Sequence, residues 1–180
     1  MKKYIFLIGS VFILQSCVVS TAAKAVKTVA KVGYGVVKGT VNGVSWTINK
    51  AKGKIDEDRL DGNWKLVGVY NGTYDQFSND KNAITNHKNS CTNELELISF
   101  KSNKSKFKSL YCESQKVDWE KYDLKFGKSP ISTEKENYIV YNSNKYLSII
   151  DVTNKSLVIE AIGFNDLTVN KKQLYFFEKK

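Results

Sequence analysis

Apolar and polar side chains alternate along most of the last two-thirds of the chain. Between residues 63 and 72, for example, Trp64, Leu66, Gly68 and Tyr70 share one face of an extended strand. Period-two alternation bounded by short polar stretches is typical of half-buried β-strands. The chain contains eight such windows: 63–72, 93–100, 105–112, 117–126, 136–143, 145–152, 156–163 and 173–180.

The connections between these windows predict how the strands are arranged. Asparagine, which tolerates the left-handed conformation of tight turns, occurs at Asn103-Lys104, Ser143-Asn144 and Asn154-Lys155. Eight strands joined mostly by short turns predict an antiparallel meander that closes as an up-and-down β-barrel, because closure removes exposed edges. We therefore expect an all-β domain over residues 56–180. Residues 73–92 are too long for a hairpin turn and are expected to form a lid or a short helix.

Residues 18–55 have a different pattern. Small apolar residues recur there near the helical period, and lysines occupy much of the other side, which is an amphipathic pattern. The glycines at positions 33, 35, 39 and 43 weaken this helix. Two interpretations stay open: an amphipathic, partly helical segment on a membrane surface, or a flexible tether. The acidic stretch DEDRLDGN at 56–63 marks the predicted boundary with the barrel domain.

Three of the glycines in this segment are spaced four residues apart. On a helix, Gly35, Gly39 and Gly43 would form one edge at which another backbone could approach closely. Oligomerisation through this glycine edge is therefore one expected interaction of the segment.

The chain begins with a short apolar run. Lys2 and Lys3 precede Tyr4 to Leu14, which is shorter than the roughly 20 residues of a transmembrane helix and typical of a signal peptide. The run ends at Leu14-Gln15-Ser16-Cys17, which resembles the lipobox of bacterial lipoproteins. The resemblance implies removal of residues 1–16 and attachment of acyl chains such as palmitate to Cys17, which would hold the protein on a membrane.

The charge distribution is consistent with such an anchor. The formal net charge is +10, but residues 18–55 carry seven lysines and no acidic residue, whereas residues 56–180 carry 19 basic and 18 acidic residues. A basic segment beside an acyl anchor favours contact with anionic lipid, and we expect no nucleic-acid partner. Val18 rather than an acidic residue follows Cys17, so the outer membrane of a Gram-negative envelope is the expected location.

The other cysteines and the single histidine give few signs of chemistry. In an oxidising compartment, Cys91 and Cys112 are expected to form one disulfide, with two free thiols as the alternative. These cysteines and His87 lack the spacing of a zinc site. His87 lies in a polar stretch. The paired carboxylates, Glu94 with Glu96 and Glu134 with Glu136, lie in polar surroundings and are expected to be solvent-facing charge rather than desolvated acids or bases. We expect no metal, no cofactor and no enzymatic activity.

The first strand window carries a resemblance to a known family. Its Gly62-x-Trp64 pair resembles the first strand of lipocalin-like domains, in which the tryptophan plugs the closed end of the barrel. Lipocalins also carry an arginine near the end of the barrel that stacks on this tryptophan. The C-terminal tail of this chain offers only lysines, at positions 171, 172, 179 and 180.

The later order of residues is similar to that of the lipocalin-like lipoproteins of Gram-negative bacteria. Cys91 precedes the second strand, Cys112 ends the third and Trp119 lies in the fourth. This similarity extends over about residues 58–178 and implies a lipocalin-like barrel.

The aromatic residues suggest what such a barrel would do. An aromatic interior could enclose a small apolar ligand, lined by Trp64, Tyr70, Phe107, Tyr111, Trp119, Tyr138, Phe164 and Tyr175. The alternative is a structural or interaction protein, because aromatic side chains in a small eight-stranded barrel often fill it. The pattern of the sequence leaves both functions open.

Overall fold

The computed structural model describes residues 36–41, 44–80, 83, 85, 95–111, 117–164 and 170–180. These residues include ten β-strands, the helix α1 (Tyr74–Asn79) and two 3-10 turns, Glu57–Leu60 and Ser102–Lys104. The strands are β1 (Val36–Val41), β2 (Val44–Asn49), β3 (Gly62–Tyr70), β4 (Leu95–Lys101), β5 (Lys106–Tyr111), β6 (Glu120–Lys128), β7 (Lys135–Tyr141), β8 (Lys145–Val152), β9 (Ser156–Ile162) and β10 (Lys172–Lys179).

Strands β3 to β10 form a closed antiparallel barrel. Each strand pairs with its neighbours in the sequence, and β10 closes the barrel by pairing with β3. The predicted eight-stranded up-and-down barrel is therefore confirmed. Most ladders extend over four or more residue pairs, but the ladder between β5 and β6 consists of Lys106 opposite Lys121 and Phe107 opposite Glu120.

Two apolar clusters lie on opposite sides of the barrel wall. The interior cluster contains Leu60, Trp64, Leu66, Leu95, Ile98, Phe100, Phe107, Tyr122, Ile139, Leu147, Ile149, Val152, Leu157, Ile159, Ala161, Phe164, Tyr175 and Phe177. The outer cluster contains Val41, Trp46, Ile48, Tyr74, Phe77, Ile150, Val158, Leu174 and Phe176. Strands β8, β9 and β10 contribute to both clusters and are therefore covered on both faces.

The segment 36–49 differs from the expectation of a helix or a tether. Strands β1 and β2 form an antiparallel hairpin in which Gly39 lies opposite Trp46. Trp46 and Ile48 are buried, whereas Ser45, Thr47 and Asn49 are exposed. This period-two burial by β-branched and aromatic residues outweighs the helical spacing of the small residues. The helical glycine edge is thus wrong for Gly39, while Gly35 and Gly43 lie outside the described residues.

The stretch after β3 contains the short helix that was one of its two expected forms. Thr73 is the N-cap, and its side chain accepts a hydrogen bond from the Gln76 N–H while the Gln76 side chain accepts one from the Thr73 N–H. This reciprocal capping box stabilises the start of a helix only six residues long. Tyr74 and Phe77 on its buried side join the outer cluster.

Several predictions concern residues outside the described part of the chain. The signal peptide and Cys17, the Cys91–Cys112 pair and His87 all belong to that group. The lipid anchor and the disulfide therefore stay predictions.

Candidate functional site

Trp64 lies at the closed end of the barrel. It is fully buried, and its Nε1–H donates to the Leu60 carbonyl at 2.7 Å. The Lys179 ammonium lies 5.0 Å from the centre of the ring. A cation at this distance from an indole face is attracted by the ring quadrupole. A lysine thus occupies the position in which the resemblance to lipocalins implies an arginine.

The chain that precedes β3 covers this end of the barrel. The buried side chain of Asn137, on β7, accepts a hydrogen bond from the Ile55 N–H at 2.9 Å and donates one to the Gly53 carbonyl at 2.8 Å. On the opposite side, the Ser102 N–H donates to the Asp61 carboxylate at 3.1 Å. Gly62 begins β3 with φ near 116°, a conformation that favours glycine. These contacts hold residues 53–62 across the base of the barrel.

Aromatic rings fill the interior above Trp64. Phe107 stacks on Phe100 with 5.8 Å between ring centres, and it meets Tyr141 edge to face at 4.9 Å. Phe164 meets Tyr175 edge to face at 5.5 Å. Such pairs are stabilised by complementary ring edges and faces in addition to the burial of apolar surface. Phe107, Phe164 and Tyr175 thus lie inside the barrel and pack against other side chains of the interior.

Tyr111, the last residue of β5, is hydrogen-bonded to the chain that follows β9. Its hydroxyl donates to the Phe164 carbonyl at 3.1 Å, and the partly buried ring packs against the interior cluster. Burial raises the pKa of Tyr111 above the ordinary tyrosine value, and the charge of Glu120 adds to this effect. Its ring and its hydroxyl therefore both have contacts within the protein.

Tyr70 lies on the outer face of the barrel, because β3 contains a bulge. Phe176 is opposite Gly68 and Phe177 is opposite Leu66, so Val67 has no partner on β10. This extra residue reverses the alternation, and Tyr70 packs against the outer cluster rather than the interior. Its hydroxyl donates to the Asp80 carboxylate at 3.2 Å.

Trp119 and Tyr138 also lie outside the interior. Trp119 has the ammonium groups of Lys101 and Lys108 at 4.2 and 5.1 Å from its ring centre. Tyr138 precedes the interior residue Ile139 on β7, so it points to the opposite face, where its ring lies 6.4 Å from that of Tyr146. Neither side chain lines a space inside the barrel.

The β1–β2 hairpin and α1 cover the outer face of β8, β9 and β10. Trp46 and Phe77 contact the ring of Phe176 from two sides, with centre-to-centre distances of 5.5 and 5.1 Å. A Cβ atom at Gly68 would lie 2.4 Å from Val41 Cγ1, so glycine is required where the hairpin approaches β3. The hairpin thus packs on the barrel as an additional layer.

Hydrogen bonds to β8 fix the end of this hairpin. The Asn49 N–H donates to the Asp151 carboxylate at 2.9 Å, and the Ala51 N–H donates to the Ile150 carbonyl at 3.0 Å. Asp151 is buried, and burial raises its pKa above the ordinary carboxyl value even though the Asn49 N–H favours the ionised form.

Beside α1, a polar groove of about 250 Å³ opens on the outer wall. Its lining includes two ion pairs: Lys172 lies 3.0 Å from Glu160, and Lys50 lies 2.6 Å from Glu134. Glu160 also accepts a hydrogen bond from the Tyr74 N–H at 2.7 Å. Although burial acts to lower the pKa of Lys50, its hydrogen bond to Glu134 and the nearby acidic charges raise it on balance.

Glu136 forms the floor of the same groove and is almost completely buried. Its carboxylate accepts hydrogen bonds from the hydroxyls of Ser129 and Ser148, the latter at 2.8 Å. The two hydroxyls thus supply hydrogen-bond donors to a carboxylate that would otherwise be buried without partners. Burial raises the pKa of Tyr74, at the rim of the groove, to about 12.

The sequence did not predict the buried carboxylates: the expectation that Glu136 is solvent-facing is wrong, and Asp151 and Glu160 were not singled out. Asp151 and Glu160 each interrupt a largely apolar strand, in LSIIDV and LVIEAI. Because an unpaired buried charge is costly, an acidic residue inside such a strand indicates a specific partner above the sheet. That signal could have located the hairpin and α1.

Within the described ranges, no three histidine, cysteine or acidic side chains come together as a group that could hold a metal ion. The helices in those ranges include none that is long and apolar enough to cross a membrane. The expected absence of metal, cofactor and catalysis therefore stays a prediction.

Comparison with known proteins gives no match to a protein-family model, a curated protein or a solved structure. The barrel architecture is compatible with a lipocalin-like fold, and function is argued from the geometry of this chain.

Proposed function

We propose that this protein is a lipid-anchored protein of the cell envelope whose barrel is a filled scaffold for interactions on its outer surface. The observation that carries this proposal is the packing of Phe107 against Phe100, Tyr122 and Tyr141 inside the barrel. A barrel that carries an apolar ligand needs space between such rings. This is the second of the two functions that the sequence left open.

Two further observations support an outward-facing role. Tyr70, Trp119 and Tyr138, which were expected to line a ligand site, lie on the outer face. The polar groove beside α1 also lies on the outer wall, and its lining contains both basic and acidic side chains. An outer wall with side chains of both charges is suited to bind another polar surface of complementary charge.

The membrane anchor belongs to the same proposal. Acylation of Cys17 and the lysines that precede the β1–β2 hairpin, Lys24, Lys27 and Lys31, would hold the chain on an anionic membrane, in the outer membrane of a Gram-negative envelope. The hairpin that packs on the barrel begins at Val36, soon after these lysines in the sequence. An anchored scaffold of this kind would present its outer wall to neighbouring envelope components.

Organic extraction of the purified full chain tests the proposal. We expect the extract, analysed by mass spectrometry, to contain the acyl groups of membrane lipid but no single apolar compound at one equivalent per chain. Recovery of one such compound at that ratio would contradict the filled scaffold and favour a ligand carrier.

Labelling with a fatty acid tests the anchor separately. We expect the label to be incorporated into the wild-type chain and to be absent from Cys17→Ser. Equal labelling of both chains would refute acylation at this cysteine without affecting the argument about the barrel interior.

A further inference from the structure

The fourth strand of the barrel, β6, has an edge that its neighbour β5 covers only in part. The two strands pair through Phe107 and Glu120 and through Lys106 and Lys121, and the Tyr122 N–H donates to the Ser105 carbonyl at 2.9 Å. Because the chain turns at residues 102–105, immediately before β5, this strand does not extend further along β6. In the described part of the chain, no strand pairs with this edge of β6 beyond Tyr122.

The direction of the free backbone groups follows from the Tyr122 hydrogen bond. In a strand, the N–H and C=O of one residue point to the same side, and successive residues alternate between the two sides. Since the Tyr122 N–H points towards β5, the backbone groups of Leu124, Phe126 and Lys128 point to the free edge. Those of Asp123, Lys125 and Gly127 point to β7, with which these residues pair.

An exposed aromatic side chain lies in the middle of this edge. Phe126 is 38 % exposed. Among the described residues, the exposed large apolar side chains are Phe126 and Ile162. A strand edge with free backbone groups and an exposed ring is a template for pairing with another strand. Ile162 lies on β9, which pairs with strands on both sides and has no such edge.

We propose that the Leu124–Lys128 edge of β6 pairs antiparallel with the same edge of a second copy of this chain, with Phe126 opposite Phe126 on the two-fold axis. This register places Leu124 opposite Lys128 of the other copy on both sides of the axis. All three positions direct their backbone groups to the free edge. Three such pairs exchange about six hydrogen bonds, since each hydrogen-bonded pair contributes two.

The charges along the strand select this register over its neighbour. Shifting the axis to Lys125 would place two lysines directly opposite each other, which is destabilising in a sheet. With the axis at Phe126, Lys125 lies opposite Gly127, and no like charges are directly opposite each other. Leu124 packs in part against the interior cluster of its own barrel, and the aliphatic part of Lys128 from the other copy then covers its remaining surface while the ammonium stays in solvent.

The pairing is closed, which distinguishes it from aggregation. A two-fold axis uses the same edge of both copies, so no edge remains for a third. The protein would therefore form discrete dimers in which the two barrels share a continuous sheet. This interaction is independent of whether the barrel interior is filled.

Cysteine cross-linking on the membrane-bound full chain tests the register. Residues directly opposite each other in a hydrogen-bonded pair have Cα atoms about 5.5 Å apart, within the range that a disulfide spans. We expect mild oxidation to convert most of Phe126→Cys to a disulfide-linked dimer, and Lys125→Cys to give no more dimer than the wild type. The wild type is the necessary control because Cys91 and Cys112 are present in all three chains.

Either of two other results would overturn the proposal. Cross-linking of Lys125→Cys but not of Phe126→Cys would place the axis at Lys125, and cross-linking of neither above the wild-type level would mean that the edges do not meet.

A second measurement uses Phe126→Pro, with Ile162→Lys as the matched control. Proline at 126 removes an N–H that points away from β7, so the barrel ladder stays intact. In detergent, light scattering after subtraction of the micelle should give twice the chain mass for the wild type and Ile162→Lys and a single chain mass for Phe126→Pro. A wild-type monomer, or a dimer that persists in Phe126→Pro, would also overturn the proposal.

Discussion

The barrel interior and the outer face of β8, β9 and β10 are both apolar and buried, but they are closed in different ways. The interior is enclosed by the eight paired strands themselves. The outer face is covered by the β1–β2 hairpin and α1, which are joined to the barrel by side-chain packing and a few hydrogen bonds. The same strands therefore belong to one region that opens only when the barrel unfolds and to another that can open locally.

This difference explains where the protein requires particular residues. Inside, large rings such as Phe107 and Trp64 fill the space that closure leaves. On the outer face, the hairpin must approach the barrel closely. Gly68 is the clearest example because any side chain at this position would meet Val41. Substitutions in the interior should thus destabilise the whole domain, whereas those at the outer contact should mainly release its cover.

The largest expected effect is that of Phe107→Ala. Removal of a fully buried ring from the interior cluster should lower the free energy of unfolding by about 3–5 kcal/mol, because the surrounding strands cannot collapse into the space. Chemical denaturation monitored by tryptophan fluorescence measures the change. Trp119→Ala, which removes a partly exposed ring from the outer face, is the matched control and should cost less than about 1 kcal/mol. Equal losses would remove the distinction between the two faces.

A smaller effect is expected for Gly68→Ala. The added methyl group would lie 2.4 Å from Val41 Cγ1, so the hairpin must move, and we expect a loss of about 1–3 kcal/mol. Amide hydrogen exchange should become faster in β1 and β2 while β8 to β10 stay protected. Gly53→Ala is the control, because no atom lies within 4 Å of its added Cβ. Exchange that accelerates throughout the barrel would show that the hairpin is not a separate layer.

Asp151→Asn should have the smallest effect, and one that depends on pH. Burial raises the pKa of Asp151 in the folded state, so the folded protein binds this proton more tightly than the unfolded chain. Stability from this group is therefore present below the unfolded pKa, near 4, and is lost as the pH rises through the higher folded value. Asparagine keeps an oxygen for the Asn49 N–H but carries no charge.

The variant should accordingly be more stable than the wild type at pH 7, by about 1 kcal/mol or less, with the difference disappearing towards pH 4. Thermal unfolding of both chains across this range measures the effect. A difference that is constant with pH would mean that ionisation of Asp151 does not contribute.

The barrel itself could be predicted because its evidence is local. Period-two alternation and asparagine turns recur along residues 63–180, and neighbouring strands in the sequence are neighbours in the barrel. The prediction of which side chains face inwards was less successful for a physical reason. One bulged residue, Val67, reverses the face of Tyr70, and its effect depends on pairing with β10 more than 100 residues later.

The outer layer was missed although the sequence contains a sign of it. The windows YLSIID, LVIEAI and LYFF carry apolar residues on both faces, whereas a barrel strand with one solvated face would alternate apolar and polar residues. Two-sided burial requires a cover, and the segment that provides it carries small residues that also fit a helical period. The spacing of two residues between Trp46 and Ile48 favours a strand over a helix only once the apolar outer wall is known.

The most direct test of the filled interior is xenon binding, followed by ¹²⁹Xe NMR on the full chain. Xenon enters empty apolar cavities of the size that a deleted side chain leaves. The account predicts no saturable xenon site in the wild-type barrel and a new one in Phe107→Ala, with Trp119→Ala behaving as the wild type. A saturable site already present in the wild type, and abolished when a larger side chain replaces a residue of the interior cluster, would contradict the account and show that the barrel is hollow.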